Sequence, residues 1–160
     1  MGLVEACAAS GMGPTTRVGS PMKILFVNRF YAPDHSATSQ MLTDLAAALA
    51  AGGAEVHVIT SRLRYDDAAA SHAPRERIDG VEVHRVWTSG FGRGNLVGRA
   101  LDYVSFYVTA SAKLFGLARA GDIVVAKTDP PLVSVVAGWV AGMRGARLVN
   151  WLQDLFPEVA

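Results

Sequence analysis

After Met22 the apolar and polar positions of the chain alternate between two periods. Lys23-Ile24-Leu25-Phe26-Val27-Asn28 is a continuous apolar run, the mark of a strand covered on both faces. A polar loop runs from Arg29 to Ser39, and Gln40 to Ala51 then sets Leu42, Leu45, Ala46 and Leu49 on one helical stripe. Gly52-Gly53 ends that helix. Glu55 to Thr60 reads as a second strand, and Ser61 to Arg77 as a polar connection. Asp79-Gly80 turns the chain into a third strand, Val81 to Val86, whose mix of charged and β-branched residues suits a sheet edge.

A glycine-rich loop precedes a long helical segment, Leu96 to Arg119. Val97, Leu101, Val104, Val108 and Phe115 form its stripe, flanked by Tyr103, Tyr107 and Leu114. Asp122 to Lys127 is a fourth strand, Leu132 to Met143 a helix, and Arg147 to Trp151 a fifth strand. Pro131 to Met143 is apolar but too short to cross a bilayer, and it reads as a buried helix. Strands alternating with helices predict parallel βαβ units and an α/β domain of three layers, with a mainly parallel sheet in the order 3-2-1-4-5. Ligands in such a sheet bind at the carboxyl ends of the strands.

Composition narrows the classes. The 160 residues make one domain large enough for a core, and a formal charge of +1 gives no electrostatic case for nucleic acid. Cys7 is the single cysteine, which excludes an internal disulfide and a cysteine-based zinc site. Residues 1–21 lack periodicity and have no basic segment followed by an apolar one. They read as a flexible leader or a mis-assigned start, with Met22 as the natural beginning.

Chemistry-bearing residues gather in the loops after strands one, four and five, which share one rim. The other rim carries plain turns such as Ala120-Gly121. In the first loop His35, Ser36, Thr38 and Ser39 lead into a helix N-terminus, where hydroxyls either cap the helix or meet an anion. The loop lacks G-x-G-x-x-G and the P-loop signature, and Gly92 to Gly98 has the wrong spacing after the wrong strand. Thr128-Asp129-Pro130-Pro131 puts a carboxylate at a strand end. Asp129 either orients a substrate hydroxyl or caps the next helix. Gln153 to Glu158 adds Asp154, the stronger candidate because it lies directly after a strand, and Glu158, whose alternative reading is only a helix start. The four histidines form no ligand pair, and no Ser-His-Asp set can be assembled. His57 and His84 read as structural residues of strands.

These segments match a known pattern. MKILFVNRFYAPDHSATSQMLTDLAAALAAGGAEVHVIT, DGVEVHRV, DIVVAKTDPP and RLVNWLQDLFPE occur in order over residues 22–160. The stretch resembles the amino-terminal, acceptor-side domain of family-4 retaining glycosyltransferases of the GT-B fold, closest to the capsule, colanic-acid and O-antigen branch of bacteria. The resemblance implies one Rossmann-like half of a two-domain enzyme, with the carboxyl-terminal donor-binding domain absent and this chain alone catalytically incomplete. It implies transfer of a sugar from a nucleotide-sugar co-substrate to a glycan or lipid-linked acceptor, with no metal and no other cofactor, in the cytoplasm or peripherally at the membrane's inner face. Where relatives carry Gly-Gly in the first loop, this chain has His35-Ser36-Ala37-Thr38-Ser39, which favours hydroxyl contacts with phosphate. Thr128-Asp129 stands where relatives often place a histidine. Gln153 replaces the histidine of a His-Asp motif that keeps Asp154, so Asp129 and Asp154 are the carboxylates carried over as catalytic. The helix from Leu96, with Arg93, Arg99, Tyr103, Phe106 and Tyr107, either packs in the core or lies in a lipid interface. A scaffold subunit pairing with a separate donor-binding chain, and an unrelated Rossmann-like protein, are the competing readings.

Overall fold

The computed structural model describes residues 22–34, 36–64, 72–91 and 95–152. Six strands form one sheet: β1 (Lys23–Val27), β2 (Glu55–Ser61), β3 (Arg75–Ile78), β4 (Val81–Val86), β5 (Ile123–Lys127) and β6 (Arg147–Trp151). Their spatial order is β3-β4-β2-β1-β5-β6. All neighbours are parallel except β3 and β4. The five strands expected from the sequence are β1, β2, β4, β5 and β6, and they stand in the expected order.

Helix α1 (Ala37–Ala51) covers one face and helices α2 (Leu96–Leu117) and α3 (Val133–Arg144) the other. The alternation of side chains along a strand explains how both cores are fed. Phe26, Val58, Val83 and Val125 pack with Leu42 and Ala46 of α1. Leu25, Val27, Ile59, Val124 and Ala126 pack with Phe106, Ala110 and Leu114 of α2 and Ala137 and Val140 of α3.

The structure corrects the sequence reading in four places. The connection after β2 contains a strand, Arg75–Ile78, that forms a hairpin with β4. Its turn residues Asp79 and Gly80 have φ of 48° and 83°, both in the left-handed region, as a two-residue hairpin demands. β3, not β4, is therefore the edge, and the charge on β4 is internal. Arg85 is buried, donating to Glu76 at 2.5 Å and to the Ala32 carbonyl. On α1, Leu45 lies outside the buried stripe and is exposed.

The largest correction concerns α2. Its buried residues are Gly98, Asp102, Phe106, Ala110 and Leu114, an unbroken i, i+4 series. Val97, Leu101, Val104, Val108 and Phe115, the stripe that hydrophobicity selects, all face solvent. Close approach and hydrogen bonding decide the face. A Cβ at Gly98 would sit 2.4 Å from the Phe91 carbonyl oxygen, so only glycine lets the loop after β4 lie on the first turn. Asp102 accepts from the Ser89 hydroxyl at 2.8 Å and the Phe91 N–H at 3.0 Å. Ser105 and Thr109 bond to the same loop, at Ser89 and Trp87. Helix α3 is likewise buried on one side only, with Leu132 beside its first turn and Val135, Trp139 and Met143 along it exposed.

Candidate functional site

The carboxyl ends of β1, β2 and β5 are stitched into one rim by backbone bonds around Arg29. The Arg29 N–H donates to the Asp129 carbonyl at 3.2 Å, and the Arg29 carbonyl accepts from Ser61 N–H at 3.0 Å and the Thr60 hydroxyl at 2.9 Å. Its guanidinium sits 3.5 Å from the Asp102 carboxylate, above the rings of Phe30 and Tyr103. The first turns of α2 thereby border the rim, through the buried face that includes Asp102.

Of the hydroxyls expected in the first loop, Ser36 is the cap of α1: its Oγ accepts from Ser39 N–H at 3.2 Å and lies 3.3 Å from the Thr38 Oγ1. Ser36 and Thr38 are partly accessible, as a ligand contact requires. Ser39 is wholly buried, and among the described residues its Oγ has no hydrogen-bond partner. Thr128 and Asp129 share the same rim, partly accessible beside the end of β5. Asp129 does not cap the next helix, because the residue before α3 is Leu132, left-handed at φ 65° and without a side-chain capping bond. His35, Asp154 and Glu158 lie outside the described residues.

One functional group here was missed from sequence. Lys127, the last residue of β5, is 1% exposed. Its ammonium donates to the Thr38 carbonyl in the first turn of α1 at 2.8 Å and lies 4.2 Å from the centre of the Trp151 ring. Burial pushes its pKa down to about 8, against an opposing pull from Asp129. The signal was available: Lys127 shares the parity of Ile123 and Val125, which face the α1 layer. On the other side of the rim, the Tyr107 hydroxyl donates to the Pro131 carbonyl and ties α2 to the Thr128–Leu132 loop. Burial, then the neighbouring Tyr103 and Asp129 side chains, pushes the Tyr107 phenol up to about 12 against an opposing pull from Arg29, so it stays a donor at neutral pH.

The two strand histidines sit away from the rim. His57 and His84 stack in the sheet beneath α2, Nδ1 to Nε2 3.0 Å apart, and His57 also meets Glu55 at 3.0 Å. His72 lies 3.7 Å from Asp34. Among the described residues no three His, Cys, Asp or Glu side chains converge as metal ligands. The rim thus offers hydroxyls, a helix N-terminus, a buried cation and a carboxylate. That set suits binding of an anion next to a polyol, and among the described residues no nucleophile and base are assembled.

A family model described as a glycosyl transferase 4-like domain matches residues 36–157, from the cap of α1 to beyond β6. No curated protein matches the chain significantly. The matched segment holds Ser36, Thr38, Lys127, Thr128 and Asp129, and it covers well over half of the molecule. On that match and this Rossmann-like sheet, the chain belongs to the glycosyl transferase 4-like domain family, a domain of glycosyltransferases.

Proposed function

We propose that this chain is the acceptor-side domain of a retaining, hexosyl-type glycosyltransferase that builds cell-surface polysaccharide. The observation that carries the reading is the polar rim itself, where the N-terminus of α1, Lys127 and the Thr128-Asp129 pair converge around Arg29. A nucleotide-sugar donor places its diphosphate toward the α1 N-terminus, with Ser36 and Thr38 as hydroxyl contacts. The acceptor hydroxyl lies on Asp129, which orients it, and Asp154 after β6 serves as a second carboxylate. The acceptor oxygen bonds to the anomeric carbon as the bond to the diphosphate breaks, and the hydroxyl proton leaves with the departing group. The donor pocket proper belongs to a second domain across a cleft. The nucleotide sugar is a co-substrate, and the reading assigns no metal or other cofactor.

The test is a screen of nucleotide sugars against the intact protein, read by thermal shift and by nucleoside diphosphate release. At least one donor raises the melting temperature and is turned over, and Asp129→Asn lowers turnover about a hundredfold through misplacement of the acceptor. Absence of both shift and release across the panel overturns the reading.

The acceptor is lipid-linked and is met at the inner face of the cytoplasmic membrane. What supports this is the outward face of α2 and α3. Leu96, Val97, Leu101, Val104, Val108, Val135 and Trp139 are exposed there, with Trp87 and Phe91 on the adjoining loop. The charged side chains exposed on these two helices and at their ends are Arg99, Lys113, Arg119 and Arg147, while the acidic Asp102 and Asp122 are buried. An apolar surface with interfacial tryptophans and a cationic rim fits an anionic bilayer. Among the described residues no helix is long and apolar enough to cross one. The protein floats with phosphatidylglycerol vesicles, and Leu101→Glu with Val104→Glu abolishes flotation without changing the melting temperature. Failure of the unsubstituted protein to float removes membrane contact from the proposal and leaves glycosyl transfer standing.

A further inference from the structure

Lys127 occupies a position where the fold has reason to place an aliphatic side chain. Ile123, Val125 and Lys127 alternate onto one face of β5, against α1. Lysine is almost never fully buried unless paired, and here burial works against its charge. Its location adds a second electrostatic cost. The ammonium binds the first turn of α1, the positive end of the helix dipole, where an anion is favoured and a cation disfavoured. The partners it has are one carbonyl, one ring face and the nearby Asp129. In the same turn, the Ser39 hydroxyl is buried with no partner among the described residues. Two positive poles and an unspent hydroxyl stand together beneath the rim.

We propose that Lys127 is a positioning residue of the transfer site: its ammonium locks the first turn of α1 to the end of β5 and keeps positive charge beneath the rim that receives the leaving diphosphate. The inference rests on the glycosyl-transfer reading for its second half and on geometry alone for its first. A methionine of similar length fills the same space and relieves the burial of charge, so the lysine's cost to folding is repaid only by ordering the turn and by charge at the site. Its effect on catalysis is indirect, through the α1 N–H groups that Thr38 carries with it and through the field it adds to them.

Charge on Lys127 is lost as pH rises through about 8, against an ordinary lysine value of 10.5. Among the described residues the groups facing it are Asp129 from the loop after β5, the Thr38 carbonyl from α1 and the Trp151 ring from β6, and the Asp129 side chain opposes the loss of charge. Transfer by the unsubstituted protein therefore declines above about pH 8, and Lys127→Arg, which stays charged, extends the plateau.

Two measurements on Lys127→Met and Lys127→Arg test this. Amide hydrogen exchange over the first two turns of α1 is read first, because it needs no activity. Lys127→Met accelerates it by about tenfold with the melting temperature kept or raised, and Lys127→Arg restores protection. Steady-state kinetics with a nucleotide sugar come second: Lys127→Met lowers kcat about tenfold or more with a smaller change in KM for the acceptor. Unchanged exchange in Lys127→Met overturns the lock. Unchanged kcat, or an alkaline limb that persists in Lys127→Arg, overturns the electrostatic role. If the unsubstituted protein turns over no donor while exchange responds as stated, the glycosyl-transfer reading has failed and the lock stands.

Discussion

Asp102→Ala unfolds the protein more easily by about 3 kcal/mol, whereas Leu101→Ala, one residue away, changes stability by less than about 0.5 kcal/mol. The contrast inverts what hydrophobicity alone predicts for α2. Asp102 is 3% exposed and accepts from Ser89 and Phe91 while facing Arg29. Its removal strands a guanidinium that is 14% accessible, together with a hydroxyl and an amide N–H. Leaving one partner of a buried pair uncompensated is what makes such substitutions costly. Asp102→Asn keeps an acceptor for Ser89 and Phe91 and loses only the charge, so it costs less, about 1 kcal/mol. Leu101 is 51% exposed and gives up little burial when truncated. Urea unfolding of the three variants reads these differences directly. Comparable losses for Asp102→Ala and Leu101→Ala would mean that α2 packs on its apolar stripe after all.

Acidification gives the second large effect. His84 is 3% exposed, and burial, then Lys113 from α2, the His57 ring from β2 and Arg75 from β3, bring its pKa down to about 4; Glu82 opposes them. The folded protein thus holds His84 neutral where the unfolded chain, with a value near 6.5, takes up a proton. The unfolded state binds more protons between the two values, so stability falls as pH drops from 6.5 toward 4. The full span is worth about 3 kcal/mol, of which about 2 kcal/mol is lost between pH 7.5 and 5. His84→Gln keeps a polar contact with His57 and does not titrate. Its stability is therefore flatter over that interval, and a slope equal to that of the unsubstituted protein would show that His84 does not carry the acid sensitivity.

Neither effect was visible in the linear pattern, for a reason that also explains what was. The continuous apolar runs at β1, β2 and β5, the glycines after α1 and the Asp79-Gly80 turn each encode their element locally, and the βαβ units through α1, α2 and α3 then leave few ways to order the strands. Asp79-Gly80 marks a turn in the sequence, while the strand before it, Arg75-Glu76-Arg77-Ile78, falls in what reads as a polar connection. An exposed edge strand has no burial pattern to show, and β3 gains its place from the ladder with β4.

Side-chain chemistry at the rim divides along the same line. Ser36 as a helix cap and the clustering of Ser36, Thr38, Thr128 and Asp129 follow from position alone, since each sits just past a strand or just before a helix. The sequence by itself determined the fold class, the order of five of the six strands, and that the loops after β1 and β5 share a rim. Tertiary structure decided which face of α2 is buried, that Lys127 turns inward to the first turn of α1, and that Arg29 and Asp102 meet across the sheet. A helix with apolar residues on two faces has no preferred side until a partner with matching hydrogen bonds and close approach is supplied, and residues 73 positions apart supply it only once the chain has folded.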